Sequence, residues 1–78
     1  MSTVRYFAAA AEAAGRSQEP VAPGSVAELR AALAERHGEQ LGRVLQRCSV
    51  LVNGVRSEDD ARVAEGDVVD VLPPFAGG

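Results

Sequence analysis

Lysine is absent from this sequence: its eight basic residues are all arginines, and no two of them are adjacent. A phosphate backbone or an anionic membrane is bound by clustered cations that release counterions. A chain with no basic block, a formal charge of −3 and a pI near 5.0 is a poor partner for either. Cysteine is nearly absent too. Cys48 alone builds no internal disulfide, structural zinc site or iron–sulfur cluster, each of which needs several ligands, and this usage fits a reducing cytoplasm. There is one histidine and no tryptophan, so no Ser-His-Asp or Cys-His arrangement with spare partners is available. Long apolar runs are missing as well. Tyr6 to Ala11 is shorter than the roughly 7–15 residues of a signal-peptide core and meets Glu12, and nothing approaches the ~20 apolar residues of a membrane span.

Length sets the next bound. The 78 residues, 46% of them apolar, make one small domain that buries a little over about 60% of its unfolded surface and retains roughly 3–5 kcal/mol of net stability. A cleft of ~300–1,000 Å³ enclosing a substrate would consume that core. The chain is expected to have no active site of its own.

The elements follow from period and punctuation. Thr3 to Phe7 alternates β-branched and aromatic residues, predicting a strand with Val4 and Tyr6 on one face and Arg5 and Phe7 on the other. Ala8 to Ala14, closed by Gly15, favours a short helix. Ser17 to Ala22, ending among Pro20 and Pro23, reads as an edge strand because proline donates nothing to a ladder. Ser25-Val26-Ala27-Glu28 is a capping box that opens a helix burying Val26, Leu29 and Leu33 and stopped by Gly38. Leu41, Val44 and Leu45 predict a shorter turn of helix on the same core. Cys48 to Val52 is a strand, and Asn53-Gly54 is the preferred type I′ turn returning through Val55-Arg56. Cys48, Val50 and Val52 then face the helix and Leu51 points away. Ser57 to Gly66 is a charged connection, and Val68 to Leu72 is the last strand, ended by Pro73-Pro74. Five extended pieces around one main helix give an α+β fold of the β-grasp, ubiquitin-like kind: a mixed sheet packed on one helix. The domain is expected to span residues 1–74, with a tail at 75–78.

Side chains that could do chemistry have bland explanations. His37, in the last turn of its helix, suits the negative end of the dipole. Cys48 in an apolar strand is expected to be a buried, inert thiol. Glu58-Asp59-Asp60 reads as a solvated turn rather than a metal site.

The C-terminus is different. In Pro73-Pro74-Phe75-Ala76-Gly77-Gly78 two φ-restricted residues leave the strand and two unrestricted ones finish the chain. Four extended residues reach roughly 13–14 Å, and glycines without Cβ atoms let a carboxylate enter a narrow channel in another protein. A carboxylate becomes an acyl donor once an ATP-using partner adenylates it, and displacement by sulfur gives a thiocarboxylate on a mobile arm. With Gly78 last, that carboxylate is expected to be free without trimming.

The chain resembles the MoaD/ThiS family of sulfur carriers, and within it the small subunit of molybdopterin synthase. The resemblance spans nearly the whole sequence. It rests on Val4-Arg5-Tyr6-Phe7-Ala8, the capped helix from Ser25, Val52-Asn53-Gly54, Glu65-Gly66-Asp67-Val68-Val69, and the tail from Pro73 to Gly78. The resemblance implies that Gly78, presented by Gly77, is adenylated by a ubiquitin-activating-like adenylyltransferase with ATP, receives sulfur from a donor and carries it as a thiocarboxylate. It implies insertion into the large synthase subunit, sulfur transfer to a pyranopterin precursor, a heterotetramer of two small and two large subunits, and no permanently bound cofactor or metal. It also implies a partner surface made of an apolar sheet face and the tail, matched here by Phe7, Val55, Leu72, Pro73, Pro74, Phe75 and Ala76. Arg5 beside Phe7 departs from the apolar residue expected there. Sulfur delivery for thiamine, cysteine or transfer RNA thiolation, conjugation to protein lysines, and a β-grasp domain that only docks are the alternatives left open by the sequence. Without lysine, the chain cannot form polymers through its own lysines.

Overall fold

The computed structural model describes residues 1–74. Seven strands and three helices follow in the order β1 (Ser2–Tyr6), α1 (Ala9–Ala14), β2 (Gln18–Val21), β3 (Gly24–Ser25), α2 (Val26–His37), α3 (Glu39–Arg47), β4 (Ser49–Val52), β5 (Val55–Ser57), β6 (Arg62–Val63) and β7 (Val68–Leu72). The five expected strands form one sheet in the order β2-β1-β7-β4-β5. Its central strand, β7, runs parallel to β1, with Val4 beside Val69 and Tyr6 beside Val71. The other pairings are antiparallel. β2 lies at the edge, as its proline demands.

One face of this sheet grips the helices. Val4, Tyr6, Val50, Val69 and Val71 point inward against Val26, Leu29, Leu33, Leu41 and Leu45, all buried. α2 starts as the capping box dictates: Ser25 Oγ accepts from Glu28 N at 3.0 Å, and Glu28 Oε1 accepts from Ser25 N at 2.8 Å. Gly38, at φ +100°, lets the chain leave α2 and begin α3 at once.

Two features depart from expectation. The short turn around Leu41 is a nine-residue helix, so α3 joins the main helix α2 on the same core as a full element. Leu41 and Leu45 hold it to the core, and Gly42 allows the close approach, because a Cβ there would sit 3.3 Å from Ala34 Cβ. Glycine inside a helix costs about 1 kcal/mol in propensity, so packing rather than local preference makes this helix. The charged connection also holds a strand, β6, paired with β3 through Gly24–Val63 and Ser25–Arg62. A two-residue strand has no periodicity to detect, and its existence depends on its partner.

Arg30 completes the helical layer. Its guanidinium donates to the carbonyls of Leu45 and Cys48, the latter at 3.3 Å, and so ties α2 to the end of α3, where the Leu45 carbonyl also accepts from Cys48 N at 3.1 Å. Its Nε is 3.1 Å from Asp59 Oδ1, without the alignment of a hydrogen bond.

A buried carboxylate fastens the sheet edge to α2. Glu19 of β2 points inward with its side chain 2% exposed. It accepts from Tyr6 Oη at 2.5 Å and from Arg36 Nη1 at 2.8 Å, and it contacts His37 Nε2. Arg16 Nη1 lies 3.5 Å away. Burial alone would raise this carboxyl, but the hydrogen bonds from Tyr6, His37 and Arg36 outweigh it and hold the group at about 2. Burial and the neighbouring Glu19 push the Tyr6 phenol well above its usual range. His37 therefore serves this network, with its ring edge-on to Tyr6 at 6.1 Å, rather than simply sitting on the helix dipole.

Candidate functional site: the open sheet face and the root of the tail

β7 is the strand that leads to the tail, and the fold pins its start. Asn53 and Gly54 take φ values of +51° and +82°, as the hairpin turn requires. The turn then folds onto β7: Asn53 N donates to Val68 O at 2.7 Å, Val68 N to Asn53 Oδ1 at 2.9 Å, and Asn53 Nδ2 to Asp67 Oδ1 at 3.0 Å. Asp67 Oδ2 also accepts from Ala64 N at 2.8 Å. That backbone bond, followed by the one from Asn53, holds the Asp67 carboxyl below its ordinary value. The two sequence segments Val52-Asn53-Gly54 and Glu65-Gly66-Asp67 are thus one interlocked anchor. It lies at the opposite end of β7 from Pro73.

Pro73 and Pro74 then stop the ladder beside a groove of about 200 Å³ lined by Ala9, Val44, Arg47 and the two prolines. Phe75, Ala76, Gly77 and Gly78 lie outside the described residues.

Among the described residues nothing covers the sheet face away from the helices. Register places Thr3 beside Val68 and Arg5 beside Asp70. Two residues further on, Phe7 N donates to Val71 O at 3.3 Å, so Phe7 continues the row next to Leu72. Leu51 stands opposite Asp70 and Arg56 opposite Leu51. Phe7 is 39% exposed, and Val68, Leu51 and Leu72 are half-buried. Phe7 and Leu72 therefore meet at the end of the sheet from which the tail departs. Val55 does not join them. It pairs with Val52, and residues directly opposed across a hairpin share a face, so Val55 is on the helix side, 67% exposed. The expectation of one apolar surface uniting Phe7, Val55 and Leu72 is corrected to Phe7, Leu72, Leu51 and Val68. Sequence alternation already pointed Leu51 outward, but only the β4–β7 register sets it beside Asp70.

The remaining candidates take structural places. Cys48 ends α3 instead of opening the strand, and its thiol donates to Val44 O at 3.1 Å. Burial pushes that thiol up, away from thiolate reactivity. Glu58, Asp59 and Asp60 are exposed, and the carbonyl of Asp59 accepts from Ala27 N at 3.0 Å. Among the described residues no group of three or more His, Cys, Asp or Glu could hold a metal ion, and no helix is long and apolar enough to cross a membrane. Sequence reasoning missed Glu19. Its period-two relation to buried Val21 was the available signal.

A mixed five-stranded sheet wrapped over helices on one face, with its tail-bearing strand at the centre, defines a β-grasp protein of the ubiquitin-like class. The model of the ThiS family matches residues 4–78, and the chain belongs to that family of sulfur carriers. No curated protein matches it at the level required. Among solved structures, SAMP1 from Haloferax volcanii is similar at 27% identity and a TM-score of 0.80, over 99% of this chain and 98% of that one. A putative molybdopterin converting factor subunit 1 from Pyrococcus furiosus is similar at 26% and 0.76, over 95% and 97%. A chain in the complex of subunits 1 and 2 of the molybdopterin-converting factor from Helicobacter pylori is similar at 28% and 0.72, over 99% and 97%.

Proposed function

We propose that this chain is the sulfur-carrying small subunit of a molybdopterin synthase. In this reading a ubiquitin-activating-like adenylyltransferase uses ATP to convert the Gly78 carboxylate to an acyl adenylate, releasing pyrophosphate. Sulfur from a donor displaces AMP and leaves a thiocarboxylate, which remains anionic and nucleophilic near neutral pH. The tail then enters the large synthase subunit and gives its sulfur to the pyranopterin precursor. The observation that carries this proposal is that the family match runs through Gly78 and so takes in the whole Pro73–Gly78 segment. Support for the molybdopterin branch comes from the likeness to two proteins named as molybdopterin converting factor subunits.

In this reading the outer sheet face is the docking platform. Phe7 and Leu72 flank the root of the tail, so a partner that covers the outer face also receives the segment beyond Pro74. A Phe7→Ala substitution is expected to weaken binding of the partner by about 1–2 kcal/mol, the range for an exposed aromatic anchor, with little change in folding. Titration calorimetry of the two proteins against a purified large subunit measures it.

Intact-mass analysis of the chain produced with its activating system tests the chemistry. A species in which sulfur replaces one oxygen, mapped to Gly78, is expected. Persistent recovery of the unmodified carboxylate from cells that require the protein rejects the carrier assignment. The likeness to SAMP1 favours one second reading, attachment of the tail to other proteins. The same spectra distinguish it, because attachment appears as the chain covalently joined to a second polypeptide.

A further inference from the structure

The outer face has an apolar frame of Phe7, Leu51, Val68 and Leu72 with charge at its middle. Arg5 Nε donates to Asp70 Oδ1 at 2.6 Å, and Arg5 Nη2 donates to Asp70 Oδ2 at 2.8 Å. The pair is lopsided. The Asp70 side chain is 15% exposed and uses both oxygens on Arg5, whereas the Arg5 side chain is 47% exposed. Arg5 Nη1 has no acceptor among the described residues, and the guanidinium carbon lies 5.9 Å from the centre of the Phe7 ring. Arg56 belongs to the same row, opposite Leu51, is exposed, and makes no ion pair among the described residues. The face therefore presents two arginines against one largely covered acid, on a chain whose formal charge is −3.

Covering this face with a purely apolar partner would strip water from the Nη1 donors and put nothing in its place. A buried guanidinium with unmet donors is costly, whereas a charge-assisted bond to an ionised acceptor is among the stronger hydrogen bonds available. We propose that the Arg5–Asp70 pair selects the protein partner of this face, fitting one that brings a carboxylate to Arg5 inside an otherwise apolar contact. The inference rests on the outer face being the docking face proposed above and specifies the chemistry of what docks there. Two bonds to Asp70 fix the guanidinium, so that its free edge meets the partner in a set orientation. Attraction over distance aids encounter, and the mismatch penalty rejects partners with an apolar residue at that point.

The test compares the full chain with the double variant Arg5→Leu/Asp70→Leu, which removes the pair without leaving Asp70 unpaired. The probes are the purified large synthase-type subunit and adenylyltransferase encoded in the same genome. For the large subunit, the occupant proposed here, affinity is expected to fall tenfold or more and to lose most of its dependence on salt concentration; a loss confined to the adenylyltransferase overturns the inference. Arg5→Lys, which keeps the charge without the planar fork, is expected to fall between. If the leucine pair aggregates, Arg5→Thr/Asp70→Thr asks the same question with neutral strand-forming residues. Equal or tighter binding of the double variant to both probes overturns the inference. Phe7→Ala measured alongside separates the two levels. Weakening by Phe7→Ala alone leaves the docking face standing and rejects the role of the pair, whereas no effect of either rejects the face as well.

Discussion

Removal of Gly78 is expected to abolish sulfur transfer while shifting the melting temperature by no more than about 2 °C, less than the several degrees that 1 kcal/mol moves a domain of this size. The reacting atom in the proposed chemistry is the terminal carbonyl carbon, and without Gly78 the residue next to the terminus becomes Ala76, whose Cβ a channel narrow enough to require a Gly-Gly end would exclude. Folding, by contrast, depends on the buried side chains of the sheet and helices. Among the described residues the buried core runs from Val4 in β1 to Val71 in β7, and the Asn53–Asp67 anchor holds β7 from the end opposite Pro73. Two measurements are needed together: thiocarboxylate formation by intact mass with the activating system present, and thermal unfolding by circular dichroism. A shortened chain that still accepts and transfers sulfur would remove the assigned role of Gly78. One that fails to fold would show that the tail belongs to the domain rather than to the chemistry.

Acid is expected to destabilise the protein through Glu19 more than through any exposed carboxylate. The folded-state value of about 2 lies below the ordinary 4.5, so the network's contribution is fully present above about pH 4.5. It is lost progressively as the pH falls toward 2, because protonation of the folded state then requires breaking the bonds to Tyr6, Arg36 and His37. A depression of this size corresponds to about 3 kcal/mol, comparable with the whole stability of a domain this small. Glu19→Gln removes the charge and turns an amide N–H₂ toward cationic donors. It is expected to cost about 2–4 kcal/mol at pH 7 and to flatten the acid dependence between pH 4.5 and 2. Urea unfolding of both proteins across that range decides the matter. Parallel acid curves for the two would show that Glu19 is not the titrating group.

These expectations draw on different levels of information. The five strands of the main sheet, the capped helix and the hairpin turn were legible because each depends on neighbours in sequence: Ser25 and Glu28 are three residues apart, and Asn53-Gly54 suits only one turn geometry. The tail motif was legible for the same reason. The full length of α3 was not, since Gly42 lowers its local preference and the close contact with Ala34 restores it. Strand β6 escaped because two residues have no pattern apart from the strand they pair with.

The site divides along the same line. Alternation in β1 and β7 already put Arg5 and Phe7 on one face and Asp70 and Leu72 on one face, because side chains alternate along any strand whatever it pairs with. That the two faces are the same one, that Arg5 meets Asp70, and that Val55 falls on the opposite side were decided by the parallel β1–β7 register and the β4–β5 hairpin. Glu19 is the sharper case: a carboxylate on an edge strand reads as solvated until Tyr6, Arg36 and His37, from a strand and a helix end distant in sequence, converge on it. Sequence determined the pieces and the sulfur-carrier family because backbone preference and motif are local properties. Tertiary structure alone decided which charges are paired and which face is left open, because those depend on how strands that are not neighbours in sequence come to lie side by side.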